Sequence, residues 1–187
     1  FLRVCGIDFQ SDDFNSFLNS WWSIIKLNDF TGLATQVGNY NIPYQVIIYL
    51  MTLLPLNALY AYKIVSIIFD FALAISTAML VYSFAKNNRR FKAILTYSAV
   101  LLSATVIFNS SFWAQCDSIY TSFIILAILF LHKNKPIASF VFIGIAFAFK
   151  LQTVFIIPVL LYYWISTKKI SILHFFIIPA GDVVMGL

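Results

Sequence analysis

The sequence predicts an all-α fold, a polytopic transmembrane helical bundle with a long, partly helical first external loop. Hydrophobic residues fill 61% of the 187 positions and charged residues only 10%, against roughly 25% charged in soluble domains, and the mean hydropathy is +0.90. Apolar runs recur at lengths near the roughly 20 residues a helix needs to cross a bilayer. The bases gather in short clusters between these runs, not in the surface stripe nucleic acid requires, so the net charge of +5 reports topology and no nucleic-acid partner is expected.

The expected spans lie at about 59–85, 93–110, 118–132, 136–150, 152–167 and 170–187. Several are short and polar at one end, as for helices that stop at a water-filled cavity. Lys86, Arg89, Arg90 and Lys92 fall in one connector, Lys133 and Lys135 in a second, Lys168 and Lys169 in a third. The positive-inside rule makes these three cytoplasmic and the alternate connectors external. The acids follow the opposite pattern: Asp8, Asp12, Asp13, Asp29 and Asp117 are external, Asp182 heads outward, Asp70 lies within a span, and glutamate is absent. Acids contribute little to orientation, so this one-sidedness points to a polar active site on the outer face. The chain starts at Phe1 and stops at Leu187 inside an apolar run, so it is expected to be the N-terminal part of a longer transmembrane domain.

Residues of about 5–58 form the long external connector. Phe14, Phe17, Leu18, Trp21, Trp22 and Ile25 recur at helical spacing and predict an amphipathic helix from about Asp12 to Leu27. Ser11 or Asp12 is placed to cap it, and the tryptophans suit a membrane interface. Thr31-Gly32 signals a turn, and Gly38-Asn39-Tyr40-Asn41-Ile42-Pro43-Tyr44 puts polar aromatics beside a proline that starts the next element. The apolar stretch 42–56 is short for a span and reads as interfacial or re-entrant. Cys5 and Cys116 have no metal-ligand spacing and read as buried free thiols.

Three polar features stand where lipid is expected. In Asn109–Tyr120, the residues Trp113, Gln115, Asp117 and Tyr120 are spaced to share a helical face, which reads as a cavity lining or as an ordinary interfacial loop. Lys150 opposes the positive-inside bias. It either snorkels, pairs with Asp117, or binds an anionic group such as a lipid phosphate. Asp70, deep in its span with Lys63 two turns outward, reads as structural.

Ser11-Asp12-Asp13-Phe14 with Trp21-Trp22, then Asn39–Tyr44, Trp113-Ala114-Gln115-Cys116-Asp117-Ser118-Ile119-Tyr120 and Phe149-Lys150-Leu151-Gln152, together resemble the GT-C superfamily of polytopic glycosyltransferases, most closely the bacterial relatives of the GPI-anchor second mannosyltransferase. The resemblance runs from about residue 8 to 187, and departs at Ala114, where the family more often has glycine. It implies a polyprenyl-phosphate-linked sugar donor, a glycan, lipid or protein acceptor presented outside, and inversion at the anomeric carbon. It also implies a first-loop aspartate base, here Asp13 or Asp12.

Lys150 and Gln152 are then expected at the lipid phosphate, Asp117 and Gln115 at sugar hydroxyls or orienting Lys150, and Tyr40, Tyr44, Trp113 and Tyr120 at the acceptor side or rim. No cofactor is indicated. A divalent metal would want several oxygen ligands together. The rival reading is a secondary transporter or lipid flippase with an Asp/Lys substrate path, which predicts internal repeats that the sequence lacks.

Overall fold

The computed structural model describes residues 1–34, 36–38, 40–167 and 170–180. The third basic connector at Lys168 and Lys169, Asp182, Asn39 and the end of the expected span 170–187 therefore lie outside the described residues. Every regular element among the described residues is helical.

Helix α1, Asn19–Asn28, continues from a π-turn at Phe14–Leu18. The Ser11 hydroxyl accepts from the Phe14 amide (3.1 Å) and so caps this segment, as its position predicts. Phe14, Leu18, Trp21, Trp22 and Ile25 are buried while Phe17 is exposed. A 3-10 turn, Asp29–Leu33, leads to Gly38, whose φ of +77° and approach to the Trp21 ring leave no room for a side chain: a Cβ there would lie 2.3 Å from the ring.

Helix α2, Ile42–Thr52, starts with Pro43 in its first turn. Helix α3, Ala58–Phe84, is capped by Asn57, whose side chain accepts from the Tyr60 amide (2.9 Å). Helix α4, Arg89–Leu102, turns by 49° at the extended Ser103 into α5, Ala104–Ile107, and a second π-turn, Phe108–Phe112. The span expected at about 93–110 thus carries a bend. The bend lets Ser110 reach inward to a buried carboxylate.

Helices α6, Asp117–His132, and α7, Pro136–Phe149, follow. The 152–167 run splits into a 3-10 segment, Leu151–Ile156, and α8, Ile157–Thr167. Residues Ile172–Phe176 form a further 3-10 segment. Among the described residues, α3 is the one helix long and apolar enough to cross a membrane alone. The bent α4–α5 pair passes the same test as a unit, whereas α2, α6, α7 and Leu151–Thr167 are shorter.

Helices α3 and α6 run side by side in the same direction, since Ser118 meets Asp70 near the start of α6 and His132 stacks on Phe84 (3.9 Å) where both end. Helix α7 returns antiparallel, with Phe149 against Phe123 (5.9 Å) and Phe142 against Phe130 (5.2 Å). Because α6 starts beside Asp70, it begins about 18 Å along α3 from Ala58, at 1.5 Å per residue. Helices α1 and α2 cover the recess that this offset leaves. Trp22 packs on Tyr62 (6.0 Å), the Tyr62 hydroxyl donates to the Leu18 carbonyl (3.0 Å), and Tyr44, Ile48 and Met51 join the same core.

Two buried charges on α3 tie this architecture to the N-terminal segment. Lys63 donates to the carbonyls of Gly6 (2.6 Å), Ile7 (3.0 Å) and Phe9 (2.5 Å), so it is bound to the chain start and not to Asp70. Asp70 is fully buried. Its Oδ2 accepts from Arg3 Nε (3.1 Å) and Ser110 (2.6 Å), and its Oδ1 from Ser118 (2.6 Å). Arg3 also donates to the Leu101 carbonyl (2.9 Å).

Breaking a buried ion pair by deleting one partner typically costs about 3–5 kcal/mol, because the remaining charge is left unpaired. Asp70→Ala is therefore expected to lower stability by roughly that amount in thermal unfolding of the purified protein. The exposed change Lys26→Gln should stay within about 0.5 kcal/mol.

Candidate functional site

The residue that caps the first π-turn meets the residue that follows the second, just before α6 begins. The Ser11 hydroxyl, besides capping its own helix, donates to the Trp113 carbonyl (3.3 Å), which fixes the first turn of the Asp12–Asn28 segment against the loop before α6. That loop is not helical. Ala114 has φ +57°, and the helix restarts only at Asp117. Trp113, Gln115, Asp117 and Tyr120 consequently do not share the helical face their spacing predicts.

Within this junction the Asp13 carboxylate accepts from Gln115 Nε2 (2.7 Å), and the Gln115 carbonyl oxygen accepts from the Tyr40 hydroxyl (3.3 Å). The Lys150 ammonium lies 5.6 Å from the centroids of both the Tyr40 and Tyr120 rings and donates to Asp117 Oδ1. Asp117 Oδ2 accepts from Asn109 Nδ2 (2.9 Å). Asp13, Gln115, Tyr40, Lys150 and Asp117 thus form one connected chain of contacts, drawn from the turn just before the first π-turn, the residues before α2, the loop before α6, the start of α6 and the end of α7.

Lys150 reaches this chain because α7 ends at Phe149, leaving Lys150 in extended backbone between α7 and the following 3-10 segment. An Asp–Lys pair that is only partly buried orients its members more than it stabilises the fold.

Two cavities open on either side of Tyr40. The smaller, about 170 Å³, is lined by Asp13, Phe17, Leu18, Trp21, Tyr40 and Gln115. Against the ~30 Å³ that a water occupies in the liquid, it has room for several hydroxyl-sized groups. The larger, about 560 Å³, is lined by Tyr40, Asn41, Phe149, Lys150, Leu151, Gln152, Val154 and Phe155. One cavity therefore carries a carboxylate between aromatic walls, and the other an ammonium and an amide above exposed apolar side chains.

Four expected site residues stand differently. Asp12 is exposed and makes no hydrogen bond or ion pair among the described residues. Tyr44 is buried beneath Tyr40 (centroids 4.9 Å apart), so it supports the rim from the core and does not line it. Trp113 lines neither cavity: it continues the right-handed backbone of the second π-turn, and its exposed ring lies against Phe108 (6.1 Å). Tyr120 touches the site only as a face for Lys150.

Asn109, Phe17, Trp21 and Asn41 are additional neighbours of the site. Asn109 is separated from Asp117 by a π-turn and a left-handed residue, and no local periodicity could have paired them.

Burial is the largest influence raising the Tyr40 hydroxyl above the usual tyrosine range, with the charges of Asp117 and Asp13 adding to it, so it remains a donor at any working pH. Burial likewise pushes the Cys116 thiol up to about 11. Cys5, expected to be buried, is exposed, and both thiols are free. No group of metal-ligating residues occurs among the described residues.

Comparison of the chain with protein-family models, with curated proteins and with solved structures gives no match.

At pH 8 a thiol of pKa about 11 is roughly one-thousandth thiolate. Iodoacetamide should therefore modify Cys5 and spare Cys116 in the folded protein, with Cys116 reacting only after denaturation; mass spectrometry of tryptic peptides reads the difference. The left-handed φ at Ala114 costs a residue with a Cβ roughly 1–2 kcal/mol, partly offset by glycine's greater chain entropy. Ala114→Gly is accordingly expected to stabilise the protein by up to about 1 kcal/mol, seen as a higher Tm.

Proposed function

We propose that the chain is part of a polytopic membrane glycosyltransferase of the GT-C type, mannosyltransferase-like. It transfers a sugar from a polyprenyl-phosphate-linked donor to an acceptor hydroxyl on the extracytoplasmic side, with inversion. In this reading the short helices α6 and α7 cross together with their neighbours and stop at the recess roofed by α1 and α2. The basic connectors at 85–92 and 133–135 face the cytoplasm.

The observation that carries the proposal is the placement of Asp13 and Lys150 in adjacent cavities with Tyr40 as the shared wall. The larger cavity matches the amphiphilic donor: Lys150 and Gln152 suit a phosphate, and the exposed Leu151, Val154 and Phe155 suit the first isoprene units. The smaller cavity suits an acceptor hydroxyl within reach of a carboxylate.

In the reaction the acceptor oxygen attacks the anomeric carbon as Asp13 takes its proton. The bond from that carbon to the phosphate oxygen breaks on the opposite face, and its electron pair leaves with the phosphate. Lys150 holds the developing negative charge. Asp117, oriented by Asn109, keeps the ammonium in place and exchanges part of its contact for the phosphate when donor binds. Asp13 is preferred to Asp12 as base because Gln115 aims its carboxylate into a cavity, whereas Asp12 is held by nothing.

The flippase or transporter alternative needs a carboxylate available to a coupling ion. Asp70, the candidate for that role, is already held by Arg3, Ser110 and Ser118, which weighs against it.

A transfer assay with the full-length protein, a polyprenyl-phosphate sugar and acceptor tests the reading. Asp13→Asn is expected to lower kcat by about 10²–10⁴-fold with little change in donor KM. Lys150→Met should lower kcat as well and raise donor KM, while Asp12→Asn stays close to wild type. Full activity in Asp13→Asn would remove the proposed base.

A further inference from the structure

A third cavity lies at the opposite end of the bundle, with no part in the chemistry above. It occupies about 510 Å³ between α3 and α4. Its walls are apolar along most of their length: Ile75, Ala78, Met79 and Tyr82 recur along one face of α3, opposite Ala93, Ile94 and Tyr97 of α4. At the loop end it is bounded by Arg89 and Lys133, which come from two separate basic connectors.

The cations are arranged for a ligand. The Arg89 guanidinium stacks over the Tyr82 ring (4.6 Å) and uses Nε to donate to the Tyr82 carbonyl (3.0 Å), which fixes the side chain while its two terminal amino groups make no hydrogen bond or ion pair among the described residues. A guanidinium held by its inner nitrogen presents a fork matched to a phosphate. The Lys133 ammonium likewise makes no hydrogen bond or ion pair among the described residues. Arg89 and Arg90 occupy the first turn of α4, where the helix dipole favours acids and no acid is present, so they add to the positive potential at some cost to the helix.

We propose that this groove binds one anionic glycerophospholipid from the cytoplasmic leaflet. Its phosphate sits between Arg89 and Lys133, and one acyl chain runs along Ile75, Met79 and Ile94. A groove that is apolar along its length and cationic at one end is complementary to an amphiphile with a single anionic head. A packed protein helix would leave the Arg89 fork unmet unless it brought its own acid. The site rests on the bilayer placement proposed above and is independent of the transfer chemistry.

The test uses full-length protein in nanodiscs of phosphatidylcholine mixed with phosphatidylglycerol, with retained lipid counted by native mass spectrometry. Wild type is expected to hold one phosphatidylglycerol with a preference on the order of tenfold over phosphatidylcholine. The double variant Arg89→Gln, Lys133→Gln should lose that preference, and Ala93→Trp should expel the lipid of either kind. If the double variant unfolds early, Lys133→Gln alone, on an exposed loop, makes the same comparison and should weaken the preference by several-fold.

Equal retention of the two lipids by wild type, or an unchanged preference in the variants, overturns the proposal. A photo-crosslinker at Met79 that captures protein and not lipid overturns it too. A chain that never enters nanodiscs overturns the bilayer reading and the lipid site with it. Loss of lipid preference together with full transfer activity is the pattern expected if both sites exist and act separately.

Discussion

The carboxylate of Asp70 is the interaction on which the rest of the arrangement depends. It is fully buried, and an unpaired charge there would be among the costliest features a helix of this composition could carry. Its three donors come from three different places: Arg3 at the chain start, Ser110 in the π-turn that ends the bent α4–α5 segment, and Ser118 in the first turn of α6. Each donor therefore sets the height of a separate element along α3. The residues next to Ser110 and Ser118 in sequence are Asn109 and Asp117, which hydrogen-bond one another and so hold Lys150. A structural charge in the core thereby determines where the polar groups of the recess stand.

Lys63 performs the matching task nearer the start of α3. It gathers three carbonyls of the N-terminal turn, of which Gly6 also accepts from the Phe9 amide (3.1 Å). The two charges are seven residues apart and share a helix face, yet they are not partners, because each has closer groups on the chain start to satisfy. Ser11 then couples this N-terminal region to the loop before α6 by accepting an amide of its own helix and donating to Trp113. Asp13 inherits its position from that double contact.

The site divides into parts that sequence patterns could reveal and parts they could not. Asp13, Gln115, Asp117, Lys150, Gln152 and Tyr40 stand out in the sequence as polar groups among apolar ones, and all of them border the recess or its network. Tyr44 and Trp113 stand out for the same reason and are elsewhere. A local pattern tells that a residue is unusual for its neighbourhood, but where its side chain points depends on packing and on single backbone angles, such as the left-handed turn at Ala114 that separates Gln115 from the preceding π-turn. Phe17 and Trp21 illustrate the converse. At helical spacing both read as the apolar face, and only the recess beneath α1 makes them walls of a cavity.

Composition and periodicity alone give the helical class, the positions of α3, α6 and α7 to within a few residues, the amphipathic helix after Ser11 and the basic, acid-free connectors at 86–92 and 133–135. These follow from composition and periodicity, which act over one or two turns of chain. Tertiary structure decided the bend at Ser103, both π-turns, the depth at which α6 begins, and the connection from Asp13 through Gln115 and Tyr40 to Lys150 and Asp117. Those depend on contacts between residues as much as 102 positions apart. Such contacts form wherever the packed chain brings a donor to an acceptor, in the core at Asp70 and at the surface at Asp13, and no local pattern specifies that choice.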